Sequence, residues 1–311
     1  MRICVVGAGA VGGLVGARLA HSGHAVTVIA RGPHLHAIRS HGLTIRSPQG
    51  ALRVTVHAEE RPDQIGPSDL VVYAVKTYSN PEALPLLRTV AGAHAVVLTL
   101  QNGVDSPAEV EAAVGRGRVL GGAAYVATAI AEPGVIQQTG QHQRIVFGET
   151  RGDLSRVSGR AAMMDTIFRE AGLESEAVPN AWGPLWEKYI YLAPFAAFTG
   201  AARQPIGPLW SDPDTRKAML AAFTEVERVA KAERVRLPPG TLARIGRYVD
   251  SLDPSVRSSF LIDLQLGKPT EVEALLGGVV RRGRKRRVPV PIMGTLYAVL
   301  KSHARGARPV P

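Results

Sequence analysis

The sequence predicts an α/β fold in two parts, a doubly wound sheet over residues 1–178 followed by an all-helical domain over 179–311. Three observations carry this. The first thirty residues read as buried strand, glycine turn, small-residue helix and second apolar strand. Apolar strand runs then alternate with helical runs as far as Val178, and from Pro179 onward long helical patterns follow one another with hardly any alternating strand pattern.

The opening stretch, MRICVVGAGAVGGLVGARLAHSGHAVTVIARG, is a βαβ unit with strands over 2–6 and 25–30. Gly7, Gly9 and Gly12 supply G-x-G-x-x-G between the first strand and the helix. In such a turn the first glycine bends the chain, the second lets backbone approach a pyrophosphate, and the third lets helix pack closely on strand. A Rossmann-type dinucleotide site is therefore expected over Gly7, Ala8, Gly9, Ala10, Val11 and Gly12, with the pyrophosphate at the helix N-terminus. An NAD site places an acid at the end of the second strand to accept from the ribose 2′-OH, but this chain has Ala30, Arg31 and Gly32 there. Arg31 cannot accept a hydrogen bond, whereas its guanidinium suits a 2′-phosphate, so NADP is the expected cofactor. The alternative is an ordinary surface arginine, and the sequence places no acid beside it.

Further along, GLTIRS and LRVTVHA read as strands, as do the runs over 69–76 and 93–104 and the stretches RVLGGAAYVAT, GVIQQTG and RIVFGE. Helices are expected over 80–90 and 107–114. In the second part they are expected over 181–199, 212–233, 239–251, from 263 or 270 to 282, and over 291–303.

Composition narrows the function. The apolar share is 45% with no long uninterrupted apolar run, and the chain opens on a strand rather than a signal peptide, so a soluble cytoplasmic protein with no membrane span is expected. The net charge of +11 is partly concentrated in RRGRKRR over 281–287. No aromatic residue interleaves there, so a solvated helix end is expected rather than a nucleic-acid surface, the overall field favouring anionic cofactor and substrate. The single cysteine, Cys4, lies in the first strand as a small core residue. The nine histidines show no metal-ligand spacing, and neither a G-x-S-x-G elbow nor a P-loop is present. Hydride chemistry with a protein acid remains.

Ligands of open α/β sheets bind beyond the carboxyl ends of the strands, where Lys76 with Thr77 and Gln101 with Asn102 fall. Each has a plainer reading, Lys76 as a strand-end lysine reaching solvent and Asn102 as a turn residue before Gly103. In the helical part, Lys188 is embedded beside Glu187 in the apolar run LWEKYIYLAPFAAFTG. Burial lowers a lysine's pKa, which suits a proton donor near neutral pH. A third stretch, RSSFLIDLQLGKPTEVEALLGG, carries Ser258, Ser259, Asp263, Glu271 and Glu273, with Glu271 at an expected helix start that favours a carboxylate in any case.

These pieces, taken in order (GAGAVGG, Arg31, VKTY with Lys76, LQNGV with Asn102, LWEK with Lys188, and the third stretch), resemble the ketopantoate reductase (2-dehydropantoate 2-reductase) family over nearly the whole chain. The resemblance implies NADPH-dependent reduction of ketopantoate to pantoate, a step toward pantothenate and coenzyme A. It implies that Lys188 is the general acid, and that Glu271 pairs with or positions it and holds substrate. It further implies that Ser259 binds the substrate carboxylate, and that Lys76 and Asn102 line the cleft against nicotinamide and substrate, with Glu271 also near the cofactor. The family usually carries asparagines four and eight residues after the lysine; here they are Leu192 and Ala196. That departure opens a paralogous NADPH-dependent reductase of another 2-keto acid or carbonyl compound as the alternative, with a noncatalytic NADP-binding sensor more remote. The expected partner is a small-molecule 2-keto acid, and a homodimer is compatible with the sequence.

Overall fold

A computed structural model describes residues 1–307, the side chains of 140–142 excepted. Two compact units emerge: Met1–Gln101 with Ser106–Pro184, and Asn102–Asp105 with the residues from Leu185 onward. The division expected after Val178 falls inside a strand, and residues 308–311 of the expected helical domain lie outside the described residues.

The first unit contains β1 (Arg2–Val6), α1 (Ala10–His21), β2 (Ala25–Ile29), α2 (Gly32–His41), β3 (Leu43–Ser47), β4 (Gly50–Val54) and β5 (His57–Glu59). There follow β6 (Ser68–Tyr73), α3 (Asn80–Ala83), α4 (Leu87–Val90), β7 (Ala91–Thr99), α5 (Ser106–Val114), β8 (Val119–Glu132), β9 (Val135–Glu149), α6 (Gly159–Glu170) and β10 (Glu174–Asn180). One sheet runs in the order β4-β3-β9-β8-β7-β6-β1-β2-β5, with β10 beside β9. Its centre, from β5 to β8, is parallel throughout, and the chain reverses direction across the sheet at β1, between β2 and β6. That is a topological switch point, where open α/β sheets bind ligands.

Both faces of the sheet are covered, as a doubly wound fold requires. Ile3 and Val5 pack into one core with Leu14, Val15, Met164 and Phe168. Cys4 and Val6, which point the other way, pack with Val71, Tyr73, Leu87 and Val110. Burial pushes the Cys4 thiol up to about 12, leaving it a core residue rather than a nucleophile.

Three expectations are corrected here. The helix over 80–90 is two short helices with a 3₁₀ turn, Leu84–Leu86, between them, because Pro85 has no N–H to continue the ladder. GVIQQTG and RIVFGE are one strand, β9, paired antiparallel with β8 across a turn at Pro133 and Gly134, whose φ is +78°. Pro179, which ends the alternating pattern in the sequence, sits at a register shift near the end of β10, and a proline is admissible in such an irregular edge strand.

The second unit holds α7 (Trp182–Ala202, beginning just before the division), α8 (Ile206–Ser211), α9 (Pro213–Ala232), α10 (Thr241–Asp250) and α11 (Ser259–Gln265). A π turn, Glu273–Gly277, then runs into α12 (Gly278–Arg286), and α13 (Pro291–Leu300) follows. Helix α9 buries Met219, Ala222, Phe223, Val226, Val229 and Ala230, one stripe at helical spacing, and packs against α8, α10, α12 and α13. Its Glu225 carboxylate accepts the backbone N–H groups of Ile292 and Met293 at 2.9 and 3.0 Å, capping α13.

The basic run forms the last turns of α12, which ends at Arg287 in left-handed conformation (φ 55°). Several of its charges are engaged: Arg282 pairs with Asp105, Arg286 with Glu233 at 2.9 Å, and Arg281 with Glu273 at 2.8 Å. Among the described residues no helix is long and apolar enough to cross a membrane.

Candidate active site

The glycine turn makes a cradle whose shape follows from what each glycine would meet as alanine. Gly7 has φ +100°, and a Cβ there would lie 2.7 Å from the Val75 side chain. A Cβ on Gly12 would lie 2.1 Å from the carbonyl oxygen of Gly7, so helix and turn close on each other only without one. Gly9 is the exception, since a Cβ there would meet nothing within 4 Å. The N–H groups of Gly7 and Ala8 both donate to the Ile29 carbonyl, at 3.3 and 3.0 Å. Gly9 then caps α1 with no side-chain acceptor and no acid in the first turn, which leaves the leading amides of the helix to an outside anion. Open space at Gly9 beside an uncapped helix start fits the pyrophosphate of a dinucleotide.

A cleft of about 230 Å³ adjoins this turn, lined by Gly7, Gly9, Arg31, His34, Val75 and Ser79 among others. His34 was not anticipated. Its Nδ1 accepts the Gly134 N–H at 3.0 Å, so its Nε2 carries the hydrogen and donates to the Ala8 carbonyl at 2.8 Å. It thereby ties the glycine turn to the β8–β9 turn, a link that nothing local in the sequence announces. Arg31 stands exposed before α2 and is among the residues lining the cleft, but it does not stand without an acid. The Glu82 carboxylate on α3 lies 2.7 Å from its guanidinium. The correction comes from the tertiary fold, since 51 residues separate the pair.

Behind the cleft, a buried polar cluster fixes the strand ends. Gln101 donates to the Val75 carbonyl at 2.9 Å and to the Asn80 side chain at 2.6 Å, and the Tyr73 hydroxyl donates to Asn80 at 2.9 Å. Gln101 is thus structural, holding the segment that continues into half-buried Lys76 and a 3₁₀ turn, Thr77–Ser79.

In the second unit the loop Asn102–Asp105, α7 and the segment leading into the π turn bring three expected residues together. The Lys188 ammonium donates to Asn102 Oδ1 at 2.9 Å, and Asn102 Nδ2 donates to Glu271 Oε2 at 3.3 Å. Glu271 is buried, and Gly103, with φ +93°, lets the loop turn against Ala274. Lys188 is only half-buried as a residue, yet desolvation dominates and lowers its pKa to about 8, while the Glu271 charge works in the opposite direction. An amine titrating there can hold a proton near neutral pH and release it.

Tyr189, next in sequence to that lysine, was also missed. Its buried hydroxyl donates to the Leu275 carbonyl at 2.6 Å, with that of Ala274 at 2.9 Å, and so takes up oxygens of the π turn. Gly278 is required opposite it, because a Cβ would lie 2.6 Å from that hydroxyl. Ser259 is the exposed first residue of α11, while its neighbour Ser258 is the buried cap, accepting from the Leu261 N–H. Ser259 takes no part in the Lys188–Asn102–Glu271 chain. Among the described residues no cluster of metal-binding side chains occurs.

Two family profiles match this chain, that described as ketopantoate reductase PanE/ApbA over residues 3–152 and that of its C-terminal part over 180–304. A 2-dehydropantoate 2-reductase of Halobacterium salinarum is 35% identical over 97% of this chain and 98% of its own. The chain belongs to the ketopantoate reductase family. It is accordingly an NAD(P)-dependent oxidoreductase in class. A PanE/ApbA family ketopantoate reductase structure from Ralstonia eutropha superposes with TM-score 0.89 at 31% identity, covering 98% of each chain. The same fold at 20% identity and TM-score 0.89, again over 98% of each chain, is found in a D-mandelate dehydrogenase solved with NADH and anilino(oxo)acetate.

Where the ketopantoate reductase pattern has two asparagines, the second position is closed in this chain: Ala196 has no exposed surface. Leu192, one turn after Lys188 on α7, keeps some.

Proposed function

We propose that this chain reduces 2-dehydropantoate to pantoate with NADPH, Lys188 acting as the general acid. The observation that carries the reading is the hydrogen-bonded chain from Lys188 through Asn102 to Glu271. When bound, the reduced nicotinamide supplies the hydride. As the carbonyl oxygen gains negative charge, the Lys188 ammonium stabilises it more than it did the neutral ketone and then gives up its proton. Asn102 aims the ammonium by accepting from it, and Glu271 keeps that ammonium protonated through its charge. Ser259, exposed at the start of α11, binds the substrate carboxylate, and Lys76 assists at substrate and nicotinamide. Gly7, Ala8, Gly9, Ala10, Val11 and Gly12 hold the pyrophosphate, and Arg31 meets the 2′-phosphate.

A second reading, a reductase of a less hydroxylated 2-keto acid, is favoured by half-buried Leu192 on the Lys188 side of α7, where the family pattern puts an amide. NADPH oxidation over a panel of 2-keto acids separates the two. Ketopantoate giving the highest kcat/KM supports the first reading, and a strong preference for an apolar 2-keto acid replaces it with the second. The sensor reading requires no turnover of any of them.

A further inference from the structure

Arg31 lines the cleft beside the glycine turn, and the carboxylate that pairs with it stands next to that lining. Arg31 lines the cleft where β2 ends, together with Ile29 and Ala30. Across from it, Ser79 and Ala83 line the same cleft from the α3 side, and between them in sequence stands Glu82. Its carboxylate meets the Arg31 guanidinium at 2.7 Å, and both side chains are more than half exposed. An acid at the end of the second strand is the group with which an NAD site accepts from the ribose 2′-OH. Here the acid arrives from another element.

We propose that Glu82 is a specificity-determining residue that admits NADH to this site alongside NADPH. The proposal rests on the dinucleotide reading above. With a 2′-phosphate bound, the Arg31 guanidinium has two anions to serve, and Glu82 faces a like charge, so NADPH binds less tightly than Arg31 alone would allow. With a free 2′-OH, Glu82 accepts from the hydroxyl while Arg31 keeps the carboxylate oriented. The pair therefore narrows the discrimination that Arg31 sets up. Exposed ion pairs are weak, so the effect is a tuning of about three-fold to ten-fold in the ratio of affinities rather than a reversal.

The test is direct titration of NADPH and NADH, followed by nicotinamide fluorescence, on the wild type, Glu82→Gln, Glu82→Ala and Arg31→Ala. The wild type is expected to bind both. Both Glu82 variants are expected to tighten NADPH and weaken NADH, widening the ratio of Kd values about three-fold or more. Arg31→Ala is expected to weaken NADPH selectively and narrow the ratio. Glu82 variants that leave the ratio unchanged, or that weaken both cofactors equally, overturn the proposal and leave the dinucleotide reading standing. A wild type that binds neither cofactor overturns both.

Discussion

In the mechanism proposed above Lys188 is an ammonium when the carbonyl oxygen takes its proton and an amine afterwards, and two opposing influences set where that exchange occurs. Desolvation brings its pKa down to about 8 and the Glu271 charge raises it. Because the acid form is the active one, kcat/KM is expected to fall as pH rises through about 8. Glu271→Gln removes only the raising influence, so the alkaline limb of the profile should move to lower pH. Lys188→Ala should lower kcat about 10²- to 10⁴-fold while the Kd for NADPH stays near that of the wild type. Near-normal turnover with an unchanged profile would remove Lys188 from the mechanism and direct attention to Lys76. The glycines offer a second test at this scale. Gly9→Ala finds room and should fold with an unchanged Tm while losing cofactor affinity, whereas Gly12→Ala meets the Gly7 carbonyl and should lower Tm. Equal Tm losses for the two would mean that the space at Gly9 serves packing. The residue types were legible in the sequence, since a lysine inside an apolar helix and a glycine fingerprint are local patterns. The bridge was not: Asn102 stands 86 residues from Lys188 and 169 from Glu271, and no local pattern encodes such a contact.

At the scale of elements, two side chains weld one segment to another. The Tyr189 hydroxyl takes π-turn carbonyls that ordinary α-helical pairing leaves aside, in a buried setting where an unmet carbonyl is costly. Tyr189→Phe is expected to cost about 1–2 kcal/mol in urea denaturation, and an unchanged midpoint would mean that the turn finds other partners. His34 engages the Ala8 carbonyl within the turn that is proposed to hold the pyrophosphate. His34→Ala should raise the Kd for the dinucleotide with little change in kcat, and His34→Gln, whose amide keeps a donor, should recover part of the loss. Loss of both kcat and stability in His34→Ala, without that recovery, would make His34 a packing residue. The order of elements was readable wherever periodicity ran uninterrupted, as in α1 and α9. It was misread where Pro85 split an expected helix and where the strand β9 continued through what read as two strands. Glu82 escaped notice because only the folded chain sets α3 beside the end of β2.

For the whole molecule, the two proposed readings differ in the 2-keto acid that is reduced, and Leu192 is the residue that separates them. Leu192→Asn restores at least one amide of the family pattern and is expected to raise kcat/KM for ketopantoate. The same change at buried Ala196 would enclose an amide without a place made for it. A wild type already saturated at micromolar ketopantoate would show that other groups recognise the hydroxyl, and the second reading would lose its support. Fold class was legible at this scale because a parallel βαβ pattern and a long helical tail differ in period. The division between units was less so, since α7 begins while the chain still belongs to the sheet-bearing unit.

The loop Asn102–Asp105 belongs to the helical unit although the gene writes it in the middle of the other one. Asn102 there accepts from Lys188, and Asp105 pairs with Arg282. A gene fragment beginning at Leu185 would encode Lys188 without the Asn102 amide that accepts from it, and half-buried Arg282 without Asp105. An exchange of the helical unit with a relative's would keep both contacts only if it carried two separate stretches of the gene.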